Sequence, residues 1–190
     1  MPLPIGHTLT GIAFFQTSPG LFFKNKWADA IFFIFLANLP DADFLPGFVL
    51  GFPNLFHHGI FHSLGAALAV AAAMGWIFYQ KKHHFWRFSI TVFFIFYSHL
   101  LLDLFSKDLA APYGLPLFWP FSNRYHIATR PFFLNIERSS RSTDFFSSLF
   151  NHHNLEAAMI EILLLGSLAI LLGIARWLLT KRRPQYKKTV

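Results

Sequence analysis

The acids and histidines of this chain gather at one end of strongly apolar segments. The string SHLLLD at Ser98 to Asp103 closes one such segment, and HHGIFHS at His57 to Ser63 opens another. Ionisable groups inside long apolar stretches are expensive, so they mark a site by default. His99 and Asp103 stand at i and i+4, which on a helix sets their Cβ atoms about 5–6 Å apart. That spacing suits two ligands of one metal as well as it suits a His–carboxylate hydrogen bond. His58 and His62 share the spacing, and His57 comes close if a helix begins at Gly59. Asp41 and Asp43 follow Leu39-Pro40, where a turn would aim both carboxylates one way, although such pairs also cap helices. Glu156 and Glu161 open a later apolar segment. His7 is alone near the N-terminus, where an ordinary structural role is the default. His83 and His84 fall in a basic turn and are set aside, and His126, His152 and His153 are reserves, of which only His152 has a partner, Glu156, four residues on.

Together these residues offer donors for two or three divalent ions. The chain has no Cys, so any metal must use nitrogen and oxygen ligands, which points to zinc or manganese. Such ions lower the pKa of bound water and clamp the oxygens of a phosphate ester, so phosphoester hydrolysis is the natural chemistry. Ser63 and Ser98 flank ligand histidines and read as hydrogen-bond donors to them rather than as nucleophiles.

The elements that must position these groups are membrane helices. Among 190 residues only 13% are charged and 26 are Phe, with a mean hydropathy of +0.44, whereas a soluble domain carries about 25% charged residues. Three segments, Ile60 to Tyr79, Phe85 to Phe105 and Ala157 to Leu179, have the roughly 20 residues that a spanning helix needs. Ala28 to Phe52 is apolar but interrupted at Pro40, Asp41, Asp43, Pro46 and Gly47. It reads as a half helix followed by irregular backbone, which survives at membrane depth only inside protein or beside a wet cavity. Ile5 to Phe23, broken at Ser18, Pro19 and Gly20, would span or lie in the interface. The N-terminus has no basic stretch ahead of an apolar run and no small-residue cleavage site, so the first segments are expected to be retained. The fold expected is an all-α, polytopic membrane bundle with three clear spans and four to five possible, in one domain over residues 1–190.

The net charge of +7 sits in clusters beside apolar segments, the pattern of topology signals rather than of nucleic-acid binding. Lys81, Lys82 and Arg87 bracket one turn, and Lys181, Arg182, Arg183, Lys187 and Lys188 follow the last span. Both are expected in the cytoplasm, with the C-terminus. The start of the first clear span, the end of the second and the start of the third must then meet at the non-cytoplasmic end. Asp41 and Asp43 approach the same end if Ala28 enters from the cytoplasmic side, and His7 joins them if its segment crosses. Bundles build metal sites from side chains on facing helices in this way.

Gly6-His7, LPDAD at Leu39 to Asp43, the His-x-Gly-x-x-His-Ser frame at His57 to Ser63, SHLLLD, and YGLPLFWPFS at Tyr113 to Ser122 together resemble the YdjM-like family of bacterial membrane-bound metal-dependent hydrolases. The resemblance runs from the N-terminus to about Ser122, with a looser match near Asn154 to Leu165. It implies a bacterial inner-membrane protein with a multi-metal site, distantly similar to zinc-dependent phospholipase C and the P1-type nucleases. By position it implies His7, Asp41, Asp43, His57, His62, His99 and Asp103 as ligands, with Glu161 added. It favours His57 over His58, where many relatives carry Arg, and some relatives carry His where this chain has Phe44.

Two classes of function follow. In the first, the site lies near the exoplasmic face and hydrolyses a phosphoester or phosphoanhydride of a membrane lipid or lipid-linked substrate. Trp119, Arg124 and Arg130 would then hold the head group, Arg binding phosphate bidentately. In the second, the protein is a transporter or scaffold with a structural metal or ion site. An open coordination position separates the two, since catalytic sites keep one and structural sites are closed.

Overall fold

Helix α1 (Pro4–Thr17) begins with Pro in its first turn, where no N–H is needed, and ends at the Ser18-Pro19-Gly20 break. Its 14 residues rise about 21 Å, less than the roughly 30 Å hydrocarbon core, so the expected Ile5–Phe23 segment is not one helix. Buried Asp29 accepts the N–H groups of Gly20, Phe22 and Phe23 at 2.6, 2.9 and 2.9 Å, and this folds the turn back onto the next helix. That helix, α2 (Lys26–Asn38), is capped by Asn25, whose side chain accepts from the N–H of Trp27 and Ala28. The computed structural model describes residues 2–82, 84–109 and 113–181; His83 and the basic run after Lys181 lie outside them.

Pro40 does not end the helical path. It sits in the first turn of a 3-10 segment, Leu39–Asp43, a position that tolerates a missing N–H, and the chain continues into α3 (Phe44–Val49). The whole of Lys26–Val49 is long and apolar enough to cross a membrane, which corrects the reading of a half helix followed by irregular backbone. Short 3-10 turns at Pro53–Leu55 and Ile60–His62 precede α4 (Leu64–Lys82). This helix begins at Leu64 rather than Ile60 because Ser63 caps it: the Ser63 hydroxyl accepts from the Ala66 N–H at 3.1 Å. α5 (Phe85–Leu104) returns along α4.

A long connection follows, with two isolated bridges, Ser106 to Phe133 and Leu115 to His126, and it is tied to the elements before it by bonds such as Leu64 N–H to the Leu117 carbonyl and Ser142 N–H to the Gly51 carbonyl. It carries α6 (Phe145–Ser148) and leads into α7 (His152–Glu161), a π-helical stretch at Ile162–Gly166 and α8 (Ser167–Lys181). Three helical runs meet the length and apolarity of a span: Lys26–Val49, Phe85–Leu104 and His152–Lys181. Among the described residues α4, where the clear span Ile60 to Tyr79 was expected, is not one of these three; its 19 residues run beside α5 for about 28 Å. No strand occurs among the described residues.

The core is aromatic. Phe22 packs at 5.0–5.7 Å between ring centroids from Phe33, Phe78 and Phe88, and a second cluster of Ala67, Phe96, Leu100, Leu115 and Leu117 lies between α4, α5 and the connection. Gly11 lets α1 press on α2: a Cβ there would lie 2.8 Å from the Ile34 Cα. The outer faces are apolar instead of charged, with Ile31, Leu68, Trp86, Leu163, Ile170 and Leu171 all exposed. An apolar surface this extensive is a membrane-facing surface.

Candidate metal centre

The centre is assembled where α1, the 3-10 turn after α2, the turn before α4 and the end of α5 meet. One helical turn places His99 and Asp103 on the same buried face of α5, with Nε2 and Oδ2 3.2 Å apart. The Ile60–His62 turn brings the His62 Nε2 within 3.3 Å of that Asp103 oxygen and 3.3 Å of the His99 Nε2. Asp41, from the LPDAD turn, adds Oδ1 at 3.6 Å from His99 Nε2 and 3.7 Å from His62 Nε2. A tetrahedral ion with bonds of about 2.0–2.2 Å sets its donors about 3.3–3.6 Å apart. His62, His99 and Asp103, one candidate ion-holding group, therefore have the spacing of donors around one cation, and Asp41 faces the two nitrogens as the fourth side of the cage.

The supports behind the donors fit the same reading. The other nitrogen of His99, Nδ1, is 2.8 Å from the Ala37 carbonyl, and that of His62 is 2.9 Å from Asp43 Oδ2. Metal-bound histidines hold their second nitrogen on a carbonyl or carboxylate in this way, which fixes the tautomer with Nε2 inward. The His62–Asp43 contact is close but off the hydrogen-bond line, so both atoms lack a well-aligned partner. Both Asp103 oxygens and Asp41 Oδ1 are likewise buried without hydrogen bonds. Buried polar atoms in such numbers are rare in native proteins and call for an unseen ion or water. The donor set fits a divalent cation.

Around the cage the remaining histidines form a second group. His7 stacks on His99 with centroids 3.6 Å apart, and its Nε2 lies 3.5 Å from Asp103 Oδ1. His57 Nδ1 is 3.0 Å from Asp43 Oδ1 and 3.9 Å from Asp41 Oδ1, and the His57 ring stacks on Phe44. Asp41, Asp43 and His57 form one candidate ion-holding group, and His57, His58 and His62 another.

Electrostatics differ across these imidazoles. Burial pushes the His57 pKa well below its ordinary value, helped by neighbouring His58. Burial also lowers His58, with Asp108 pulling the other way. At His62 burial acts in the same direction, but Asp103, Asp41 and Asp43 override it and raise the pKa well above the ordinary value. Three carboxylates around one ring demand a positive charge, and a proton and a metal ion compete for that place.

The structure brings together His7, Asp41, Asp43, His57, His58, His62, His99 and Asp103, and places the other expected residues elsewhere. Both Glu161 oxygens accept backbone N–H groups, from Leu3 at 2.7 Å and Gly6 at 2.8 Å. Glu161 thus anchors the start of α1 next to His7 rather than joining the donors. Glu156 is exposed and pairs with exposed His152 at 3.3 Å. Ser63 caps α4, and Ser98 donates to the Ile95 carbonyl at 2.6 Å, so neither touches a ligand. The Trp119 carbonyl accepts from the Gly65 N–H at 3.1 Å, while Arg124 and Arg130 are exposed. Two residues were not anticipated. Asp108 reaches His58, and Arg138 donates Nε–H to Asn54 Oδ1 at 2.9 Å with its guanidinium 5.0 Å above the Phe44 ring. Burial lowers the Arg138 pKa against the pull of Asp41, Asp103, Asp108 and Asp43, so these acids lie within electrostatic reach. Nothing in local sequence spacing points to either residue, because both arrive through the folding of the long connection.

Helices with lipid-facing outer surfaces around a buried cluster of His and Asp donors define a multi-pass membrane protein with a metal-type site. The chain belongs to the YdjM inner membrane protein family, whose model matches residues 1–182. Searches of curated proteins and of solved structures found no match.

Proposed function

We propose that this protein is a metal-dependent hydrolase of the inner membrane, acting on a phosphoester or phosphoanhydride of a lipid or lipid-linked substrate. The observation that carries the reading is the cage of His62, His99, Asp103 and Asp41, at metal-ligand spacing and with the carboxylate oxygens of Asp103 and Asp41 Oδ1 unpartnered. Nitrogen and carboxylate donors at these spacings fit zinc, and Asp41 stands between the cage and the Asp43–His57 group, where a second ion fits. A bound divalent ion would supply Lewis acidity and a lowered pKa for water. The chain's own residues do the rest. His99 is held in one tautomer by the Ala37 carbonyl, Asp43 lies against the outer nitrogen of His62, and His7 packs the cage from the side of α1. Asp41, whose side chain is 15% exposed where His62, His99 and Asp103 are fully enclosed, marks the opening toward a substrate. Arg138 supplies the cation for the substrate's phosphate, since a guanidinium matches two phosphate oxygens at once. The positive-inside rule, applied to the basic flanks, supports a cytoplasmic C-terminus and a centre near the exoplasmic face.

One observation favours a second reading, that of a structural ion in a scaffold or transporter. The cage already has four protein donors and is almost wholly buried, as closed structural sites are. The test is phosphate release from a phosphatidate and from a polyprenyl diphosphate in mixed micelles, using zinc-loaded wild type and Asp41→Asn. Zinc-dependent release that Asp41→Asn loses at least tenfold supports the hydrolase. Retained zinc with no release from either substrate contradicts it and favours the structural ion.

A further inference from the structure

His58 is the one non-glycine residue with positive φ among the described residues, at 59°. A left-handed conformation at a non-glycine residue is strained and persists where the surroundings enforce it. Here it turns a histidine inward where a solvent-facing side chain would be easier to accommodate. The residue is 8% exposed, and its ring centroid lies 4.2 Å from that of His57 and 5.1 Å from that of His62. Its Nδ1 is 3.5 Å from Asp108 Oδ2, and Asp108 is itself held by the Gly114 N–H at 2.8 Å. The opposite nitrogen, Nε2, is buried with no hydrogen-bond partner. A carboxylate behind one ring nitrogen and an unpartnered second nitrogen beside other donors is the arrangement of a carboxylate–histidine–metal support.

We infer that His58 is a ligand of a second cation, bound with His57 beside the four-donor cage, and that Asp108 orients it through Nδ1. This rests on the reading of the cage as a metal centre and extends it to a residue outside the family's His57–His62 frame. His57 belongs to both candidate groups, with Asp43 and Asp41 in one and with His58 and His62 in the other. Asp41 lies between the two ions, its Oδ1 3.7 Å from His62 Nε2 and 3.9 Å from His57 Nδ1. If His58 served only to tie the turn to the connection, replacing it with Gly would remove backbone strain and leave the bound metal unchanged.

The experiment is zinc titration of chelated, detergent-purified full-length protein, with stoichiometry by elemental mass spectrometry and thermal unfolding of the same samples. Expected are about two equivalents in wild type and about one in His58→Gly, which unfolds no lower than wild type when both are metal-free. Asp108→Asn keeps both sites but binds the second ion about 10–100-fold more weakly. Two equivalents retained in His58→Gly overturn the inference. A single equivalent in wild type, lost in His99→Ala, also overturns it and leaves the four-donor cage standing. No zinc in wild type overturns the cage and the second site together.

Discussion

Asp41 carries the most demanding position in the molecule, because its Oδ1 is within 3.6–3.9 Å of nitrogens on His99, His62 and His57. Replacing it with Asn keeps the volume and removes the charge, and zinc affinity should fall by at least tenfold; titration against a competing chelator measures this. His126 is half-buried against Phe118, away from the cage, so His126→Ala should bind zinc as wild type does. Protons compete at His62. Its raised pKa means that the metal-free protein holds a proton there at neutral pH, which zinc must displace. The stabilisation that this proton gives the metal-free fold is present below the ordinary histidine pKa of about 6.5 and is lost as pH rises through the elevated value. Zinc affinity therefore increases with pH, and calorimetry in buffers of different ionisation enthalpy should show proton release on binding at pH 7. Gly6 has its own constraint: a Cβ there would lie 2.9 Å from Glu161 Oε2. Gly6→Ala should loosen the start of α1 beside His7 and lower zinc affinity without abolishing it. At this scale the sequence was informative where ligands share a helix or a short turn, as with His99 and Asp103 or His57 and His62. It said nothing of Asp108 and Arg138, whose roles depend on tertiary contacts.

The helices were legible from apolarity, and their ends were less so. α5 falls within one residue of the expected segment, since no Pro or Gly interrupts it. At Pro40 the sequence reading failed because proline breaks a helix interior but opens a 3-10 turn without strain, and here the chain changes from one to the other. At Ile60 apolarity alone suggested a longer helix, and the Ser63 cap decided otherwise. The connection between α5 and α7 is the element whose order depends most on single contacts. Asn154 accepts from the Glu137 N–H and donates to the Glu137 and Leu149 carbonyls at 2.7–3.0 Å, which fixes the residue next to Arg138. Asn154→Ala removes the partner of three part-buried backbone groups, at about 0.5–1.5 kcal/mol for each lost hydrogen bond. The expected outcome is faster tryptic cleavage at Arg138 and Arg141 with zinc content unchanged. Cleavage at the wild-type rate would mean that the connection is held by other contacts.

Over the whole molecule, the low charge and the apolar outer faces identify a membrane protein before any site is considered, and the order of the segments anticipated that the histidines and aspartates meet, though not that Glu156 and Glu161 stay apart from them. Which side of the membrane the cluster occupies is carried by basic residues at the helix ends. Because the chain has no native Cys, single cysteines report this directly: Lys81→Cys should react only with reagent admitted to the cytoplasm, and Arg124→Cys with impermeant reagent outside intact cells. The reverse pattern would invert the orientation. The claim on which everything else depends is that the buried His and Asp side chains hold a divalent cation. Elemental mass spectrometry of detergent-purified protein after mild chelation tests it, comparing wild type with the His99→Ala, Asp103→Ala double variant. The account predicts zinc retained by wild type and lost from the double variant, while the variant still purifies as a folded helical protein. Equal metal in the two proteins, or none in either after zinc is supplied, would contradict it.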